Sequence, residues 1–250
     1  MKRLFLLVFS LFISTCFGEI HRVDVESTDN TPEELYIKHV QRALKAGGRK
    51  QRLTMLSHAR LDNIQYCLKE ILANDIPGDC IETGVFCGGA TIFMRAILEA
   101  YQDRDRRVWV ADSFQGFPKP NLEKYPADGE FGKKLKGQGI PLQRVMNNFA
   151  RFGLLDNRVV FLKGFFSETL PTAPIEQISL LRLDGDMYES TWDALNALYH
   201  KVSPGGFIII DEYGAYKACK KAVHDFRETY QIHEPMQRID WTGVFWKKTS

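Results

Sequence analysis

The sequence is short of several things, and each shortage excludes a class of function. It has almost no net charge: 33 basic against 31 acidic residues leave +2. So balanced a chain offers no field for nucleic acid or for an anionic membrane, and neither is expected as a partner. It has no apolar run long enough for an ordinary bilayer span, since LFLLVFSLFI near the start is too short. Its five cysteines lack the paired spacing of a zinc site. It has no Asn-x-Ser/Thr glycosylation acceptor, no internal repeat and no low-complexity tract. No histidine occurs between His58 and His200, so the middle of the chain has no imidazole base. Nor does it contain G-x-G-x-x-G, the phosphate fingerprint of dinucleotide folds, which disfavours a dinucleotide oxidoreductase.

At 44% hydrophobic and 26% charged, 250 residues suit one sizeable globular core. The first residues stand apart. Lys2 and Arg3, a short apolar run and then small residues have the layout of a secretory leader, with cleavage expected after Gly18. That divides the chain into a leader over 1–18, a helical cap over 19–76 and a main domain over 77–250. Cleavage would send the protein into the secretory pathway, secreted or lumenal; retention would leave it membrane-anchored. Cys67, Cys80, Cys87 and Cys219 would remain, an even count that permits disulfides without establishing one. Cys80 lies in an apolar strand pattern and reads as a structural thiol.

The stretch from Leu180 to Tyr213 organises the rest. Ile178 to Leu183 and Phe207 to Ile210 are short apolar runs that read as strands buried on both faces. Thr191 to Lys201 between them has helical spacing, and Ser203-Pro204-Gly205-Gly206 breaks it. Each strand ends in acid: Asp184 and Asp186 after one, Asp211 and Glu212 after the other. In a βαβ unit both strand ends point the same way, so these carboxylates share one rim. Carboxylates so crowded call for a cation, and hard oxygen ligands favour Mg²⁺, Mn²⁺ or Ca²⁺.

Upstream, DCIETGVFCGGA (Asp79 to Ala90) reads as strand, glycine turn and helix start, with Gly84 and Gly88 permitting a tight turn and close approach to a ligand. Glu82 before the first glycine suits a ligand carrying an ammonium, such as the tail of S-adenosylmethionine. Asp112-Ser113 closes the next strand, Val108 to Ala111, where an acid is placed for ribose hydroxyls. Ser113 to Gly139 lacks periodicity and reads as a lid or substrate loop, with Phe114 and Phe117 facing a substrate ring. Val159 to Lys163 is the third strand, followed on the ligand rim by Gly164. Helices are expected over Leu61 to Ala73, Ala90 to Tyr101, Pro141 to Phe152 and Lys217 to Tyr230. Gln237 to Trp246 reads as a closing hairpin. The fold class is α/β: a seven-stranded, mostly parallel sheet with one antiparallel strand and helices on both faces. Trp192, Trp241 and Trp246 are expected in the core, while Tyr188 is weighed as either packing or site lining.

With these residues placed, the sequence resembles the macrocin O-methyltransferase family, which methylates sugar hydroxyls with S-adenosylmethionine and Mg²⁺ on a Rossmann-like class I methyltransferase fold. The similarity lies in TMLSHARLDNIQ, PGDCIETGVFCGGATIFMRAIL, VWVADSFQGFP, FGLLDNRVVFLKGFFSETLP, LRLDGDMYEST and SPGGFIIIDEY, which cover most of Thr54 to Trp246. It implies that Glu82, Thr83, Gly84, Asp112 and Ser113 hold the cofactor, to which the glycine turns add Gly88 and Gly164. It implies that Asp184, Asp211 and Glu212 hold Mg²⁺ or Mn²⁺. The family usually has two aspartates at the second acidic strand end, where this chain has Asp211-Glu212. Some members use a histidine in the loop after the second strand as base, and this chain has none. Asp184 and Asp186 are then the catalytic candidates, Asp186 as base or as supporting acid. The expected activity is transfer of a methyl group to a hydroxyl of a vicinal diol on a sugar or small natural product. The alternative is a secreted or lumenal binding protein that keeps the fold without turnover. The expected partner is a small-molecule hydroxyl acceptor, and a homo-oligomer is left open.

Overall fold

Alternation along short apolar strands builds the sheet. The computed structural model describes residues 30–48, 51–131 and 139–249. Seven strands are present: β1 (Asp79–Thr83), β2 (Val108–Asp112), β3 (Val159–Lys163), β4 (Ile178–Leu183), β5 (Val202–Ile210), β6 (Gln237–Arg238) and β7 (Val244–Lys247). They lie in the order β3-β2-β1-β4-β5-β7-β6. All neighbours pair in parallel except β7, which runs antiparallel to both β5 and β6. The chain reverses its direction of travel between β1 and β4, the position where open α/β sheets bind ligands beyond their strand ends.

Among the described residues, seven α-helices flank the sheet: α1 (Pro32–Lys45), α2 (His58–Ala73), α3 (Gly89–Ala100), α4 (Leu142–Arg151), α5 (Phe166–Thr169), α6 (Tyr188–Leu198) and α7 (Lys217–Thr229). The α1 start follows its sequence: Thr31 caps it by accepting the Glu34 N–H at 3.3 Å, Pro32 opens it, and Glu33 and Glu34 suit the positive end of its dipole. Ser57 caps α2 in the same way, accepting from Arg60 at 3.2 Å.

Because side chains alternate along a strand, each face of the sheet has its own core. Cys80, Val108, Val110, Leu180, Phe207 and Ile209 pack with Ile37, Leu44, Leu61, Ile64 and Phe93 of the first three helices. Ile81, Trp109, Leu181, Leu183, Ile208 and Ile210 pack on the other face with Leu195, Leu198, Val223 and Phe226 of α6 and α7. The N-terminal helices therefore share one continuous core with the sheet.

Three local expectations change. The Ser203-Pro204-Gly205-Gly206 break lies inside β5 as a bulge, since Val202 pairs with Ile178 and Phe207 already pairs with Leu180. The segment after β2 contains a 3-10 turn, Pro126–Phe131. Trp241 is 68% exposed while Trp246 is fully buried, because Trp241 sits in the β6–β7 turn and not on a strand. All four cysteines of the described residues are buried and free, with no disulfide. Burial lifts the Cys80 thiol to about 12. The expected leader lies outside the described residues. Among those described, no helix is long and apolar enough to cross a membrane.

Candidate active site

A cavity of about 470 Å³ opens at the C-terminal ends of β1, β2, β4 and β5. Four of the residues expected to hold a cofactor line it: Glu82, Gly84, Asp112 and Ser113. Gly84 has φ +88°, and a Cβ there would stand 2.1 Å from the Asp184 carbonyl oxygen, so the turn after β1 lies directly on the turn after β4. Asp112 fixes the neighbouring loops: its Oδ2 accepts the Val85 N–H at 2.9 Å and its Oδ1 the Phe114 N–H at 2.7 Å. Burial raises the pKa of its carboxyl despite these bonds.

Thr83, Gly88 and Gly164 do not line the cavity, and the reasons are geometric. Thr83 alternates to the opposite face from Glu82. A Cβ on Gly88 would meet Val145 at 2.8 Å, so that glycine makes room for α4. One on Gly164 would meet Thr169 at 2.6 Å. The start of α3 is partly closed as well, because the Gly89 N–H donates to the Leu53 carbonyl at 3.1 Å. Phe117 reaches the cavity wall, whereas Phe114 is buried against Phe161 with ring centroids 6.4 Å apart. The Tyr188 hydroxyl donates to Asp225 at 2.8 Å and does not line the cavity.

The acidic rim divides in two. Oxygens of Asp184, Asp186 and Glu212 lie within 4.8 Å of one another. Burial first, and then neighbouring carboxylates, raise all three pKa values. Asp211, expected with this set, lines the same cavity beside Glu212, but both of its oxygens are taken up by arginines. It shares the parity of Phe207 and Ile209, so its side chain enters the face covered by α2 and α3. There one oxygen accepts from Arg182 and the other from Arg60. The donor chemistry fits a divalent cation: three oxygen ligands of one sign, close together, that cannot all ionise comfortably alone. Asp184, Asp186 and Glu212 are the groups that would hold it, with Asp211 behind them.

Sequence reading missed the two arginines. Arg182 is fully buried in β4 and joins Glu82, Asp184 and Asp211. Its signal was available: a lone charge inside ISLLRL must find partners. Arg60, in the first turn of α2, joins Asp211, approaches Glu212 at 3.7 Å and Asp240 at 3.2 Å. No pattern in its helix marks it out. Glu82 has both oxygens engaged, one by Arg182 and one by the Thr91 hydroxyl. It therefore faces the cavity as a neutralised group, not as the free acid expected to meet an ammonium.

The profile of the macrocin O-methyltransferase (TylF) family matches residues 19–248. The chain belongs to this family. It is 52% identical over 200 residues to a tetracenomycin enzyme of Streptomyces olivaceus, 8-demethyl-8-(2,3-dimethoxy-alpha-L-rhamnosyl)-tetracenomycin-C 4'-O-methyltransferase, covering 79% of this chain and 76% of that one. It is 47% identical over 201 residues to the mycinamicin III 3''-O-methyltransferase of Micromonospora griseorubida, covering 79% of each. Among solved structures, the O-methyltransferase NovP superposes with a TM-score of 0.83 at 40% identity, over 87% of this chain and all (100%) of that one. The protein is thus an S-adenosylmethionine-dependent O-methyltransferase, and its sheet is that of the class I enzymes.

Proposed function

We propose that the enzyme moves a methyl group from S-adenosylmethionine to one hydroxyl of a vicinal diol on a sugar or small natural product, assisted by Mg²⁺ or Mn²⁺. One observation carries this reading: a single cavity joins the Gly84 turn and Asp112 to the carboxylates of Asp184, Asp186 and Glu212. The names of the two bacterial relatives support a sugar acceptor, since both specify a hydroxyl of a glycosyl group. In the tetracenomycin compound the rhamnosyl 2- and 3-oxygens already carry methoxy groups. The oxygen beside the reacting one can then be an ether in some acceptors.

In this reading Asp112, Ser113 and the Gly84 turn seat the adenosyl part of the cofactor. Arg182 pairs with Glu82 and fixes it below the cofactor. Asp184, Asp186 and Glu212 would hold a divalent cation, which would supply Lewis acidity at the acceptor hydroxyl. Asp186 takes the hydroxyl proton on its carboxylate as the oxygen–carbon bond forms and the carbon–sulfur bond breaks, giving a methyl ether and S-adenosylhomocysteine. The apolar wall around Phe117 and Phe166 excludes water and holds the oxygen in line with the methyl carbon.

Calorimetric titration of S-adenosylmethionine into the chain from Glu19 onward, with and without Mg²⁺, tests this beside Asp184→Ala. Micromolar binding with a Mg²⁺ response that disappears in the variant is the expected result. Absence of cofactor binding under every condition would sink the proposal.

A further inference from the structure

The segment leaving β2 crosses from the cofactor side of the cavity to the acidic side. It carries Phe117 and Pro118 along the wall and reaches the 3-10 turn Pro126–Phe131. Asp128 in that turn is completely buried. Its Oδ1 accepts the Tyr188 N–H at 2.6 Å and its Oδ2 accepts the Glu189 N–H at 3.0 Å. These are the first two residues of α6, whose own N-cap residue, Met187, offers no side-chain acceptor. The first turn of a helix leaves its N–H groups without intrahelical partners. Here the missing cap arrives from a segment some way upstream in sequence. The Tyr125 and Tyr188 rings lie with centroids 5.5 Å apart, a second contact between this segment and the start of α6.

The location of this cap gives it a consequence. Asp186, two residues before Tyr188, has φ +60°, a left-handed conformation that a non-glycine residue holds only when its surroundings impose it. The Met187 N–H donates to the Gly185 carbonyl at 2.6 Å, which ties the turn to the helix start. A Cβ on Gly185 would stand 2.8 Å from the Ser190 Cβ, so the turn also has no slack against the helix body. The direction of the Asp186 carboxylate therefore follows from where α6 begins, and Asp128 pins that beginning.

We propose that Asp128 is a positioning residue for Asp186: by capping α6 it holds the strained turn that aims the Asp186 carboxylate at the acceptor and the cation. This rests on the reading of Asp186 given above. Asparagine at 128 keeps one acceptor oxygen but turns an amide N–H₂ toward the second helix N–H, so it loses one bond and gains a repulsion.

The test uses the full enzyme with Asp128→Asn, Asp128→Ser and Asp186→Asn. Amide hydrogen exchange is followed over 185–190, Mn²⁺ affinity by electron paramagnetic resonance, S-adenosylmethionine affinity by calorimetry, and turnover with methyl α-L-rhamnopyranoside as the diol probe. The proposal expects both Asp128 variants to melt cooperatively and bind cofactor as the wild type does. It expects them to exchange Tyr188 and Glu189 amides faster and to bind Mn²⁺ more weakly. It also expects kcat to fall by about tenfold to a hundredfold with little change in KM, the scale of a misplaced reacting group. Folded Asp128 variants with wild-type Mn²⁺ affinity and wild-type exchange over 185–190 would overturn it. Full turnover by Asp186→Asn would instead overturn the underlying reading of Asp186, with the exchange and Mn²⁺ data still reporting on the Asp128 cap itself.

Discussion

Glu82 and Arg182 are direct partners across the β1–β4 register, and their side chains form a buried ion pair beneath the cavity. Both are essentially inaccessible to solvent. Arg182 also reaches Asp184 at 3.0 Å and bonds to Asp211, so one guanidinium balances acids from three strands. Such a group is held less for net stability than because removing one partner strands the others.

Arg182→Met should therefore be severe. It leaves Glu82 and part of Asp211 buried without a counter-charge, and breaking a buried pair in this way costs about 3–5 kcal/mol. The double variant Glu82→Gln, Arg182→Met should recover part of the loss, since the stranded carboxylate is then neutral. Chemical denaturation of the two variants and the wild type measures this; a double variant less stable than Arg182→Met would contradict it.

Gly84→Ala should uncouple the two halves of the site. The backbone has φ +88°, and the added Cβ would lie 2.1 Å from a backbone oxygen of Asp184, which no rotamer change relieves. The turns after β1 and β4 must move apart. Cofactor and divalent-cation affinity should fall together, by calorimetry, in a protein that still shows a cooperative unfolding transition. Loss of one affinity with the other intact would count against the shared contact.

Much of this was legible in the chain. The strand runs, the acids at their ends and the glycine turn each carry a local pattern, and the βαβ repeats imply the parallel pairing. The placements that local pattern leaves out have a common cause. Asp211 and Glu212 are adjacent in sequence and both line the cavity, yet Asp211 is engaged by Arg182 and Arg60 while Glu212 lies with Asp184 and Asp186, a division that adjacency does not encode. Thr83, next to Glu82, alternates away from the cavity that Glu82 lines. Arg60 and Asp128 act across long sequence separations, Arg60 to Asp211 and Asp128 to Tyr188. No periodicity encodes such contacts.

Acid should loosen the far side of the molecule first. Asp156 lies against Arg95 at 2.6 Å and Arg158 at 2.6 Å. Partial burial works to raise its carboxyl, but hydrogen bonds from Arg95 and Arg158 outweigh it and bring the pKa down to about 2. Glu99, held by Arg95 and Arg104, is lowered too. Folded values below the unfolded ones mean that the unfolded chain takes up protons first. The stabilisation is complete above the ordinary carboxylate range and is lost as pH falls toward about 2. Asp156 is partly exposed, so the effect is modest and weakens with salt. Unfolding free energy measured from neutral pH down should decline less steeply in Asp156→Asn than in the wild type over that window.

The leader and the thiols make a joint prediction. The leader is a proposal that rests on the basic, then apolar, then small-residue layout of residues 1–18. Export through an oxidising compartment usually favours disulfides, but here Cys67, Cys80, Cys87 and Cys219 are all buried and unpaired. Burial raises each thiol and disfavours the reactive thiolate. If the chain were exported, these buried thiols would be expected to stay reduced in the folded protein. The mature protein should begin at Glu19 by N-terminal sequencing. All four thiols should be silent to a thiol reagent in the native state and titrate together on unfolding without reductant. An intact Met1 would refute the leader, and fewer than four thiols on unfolding would refute the free-cysteine arrangement.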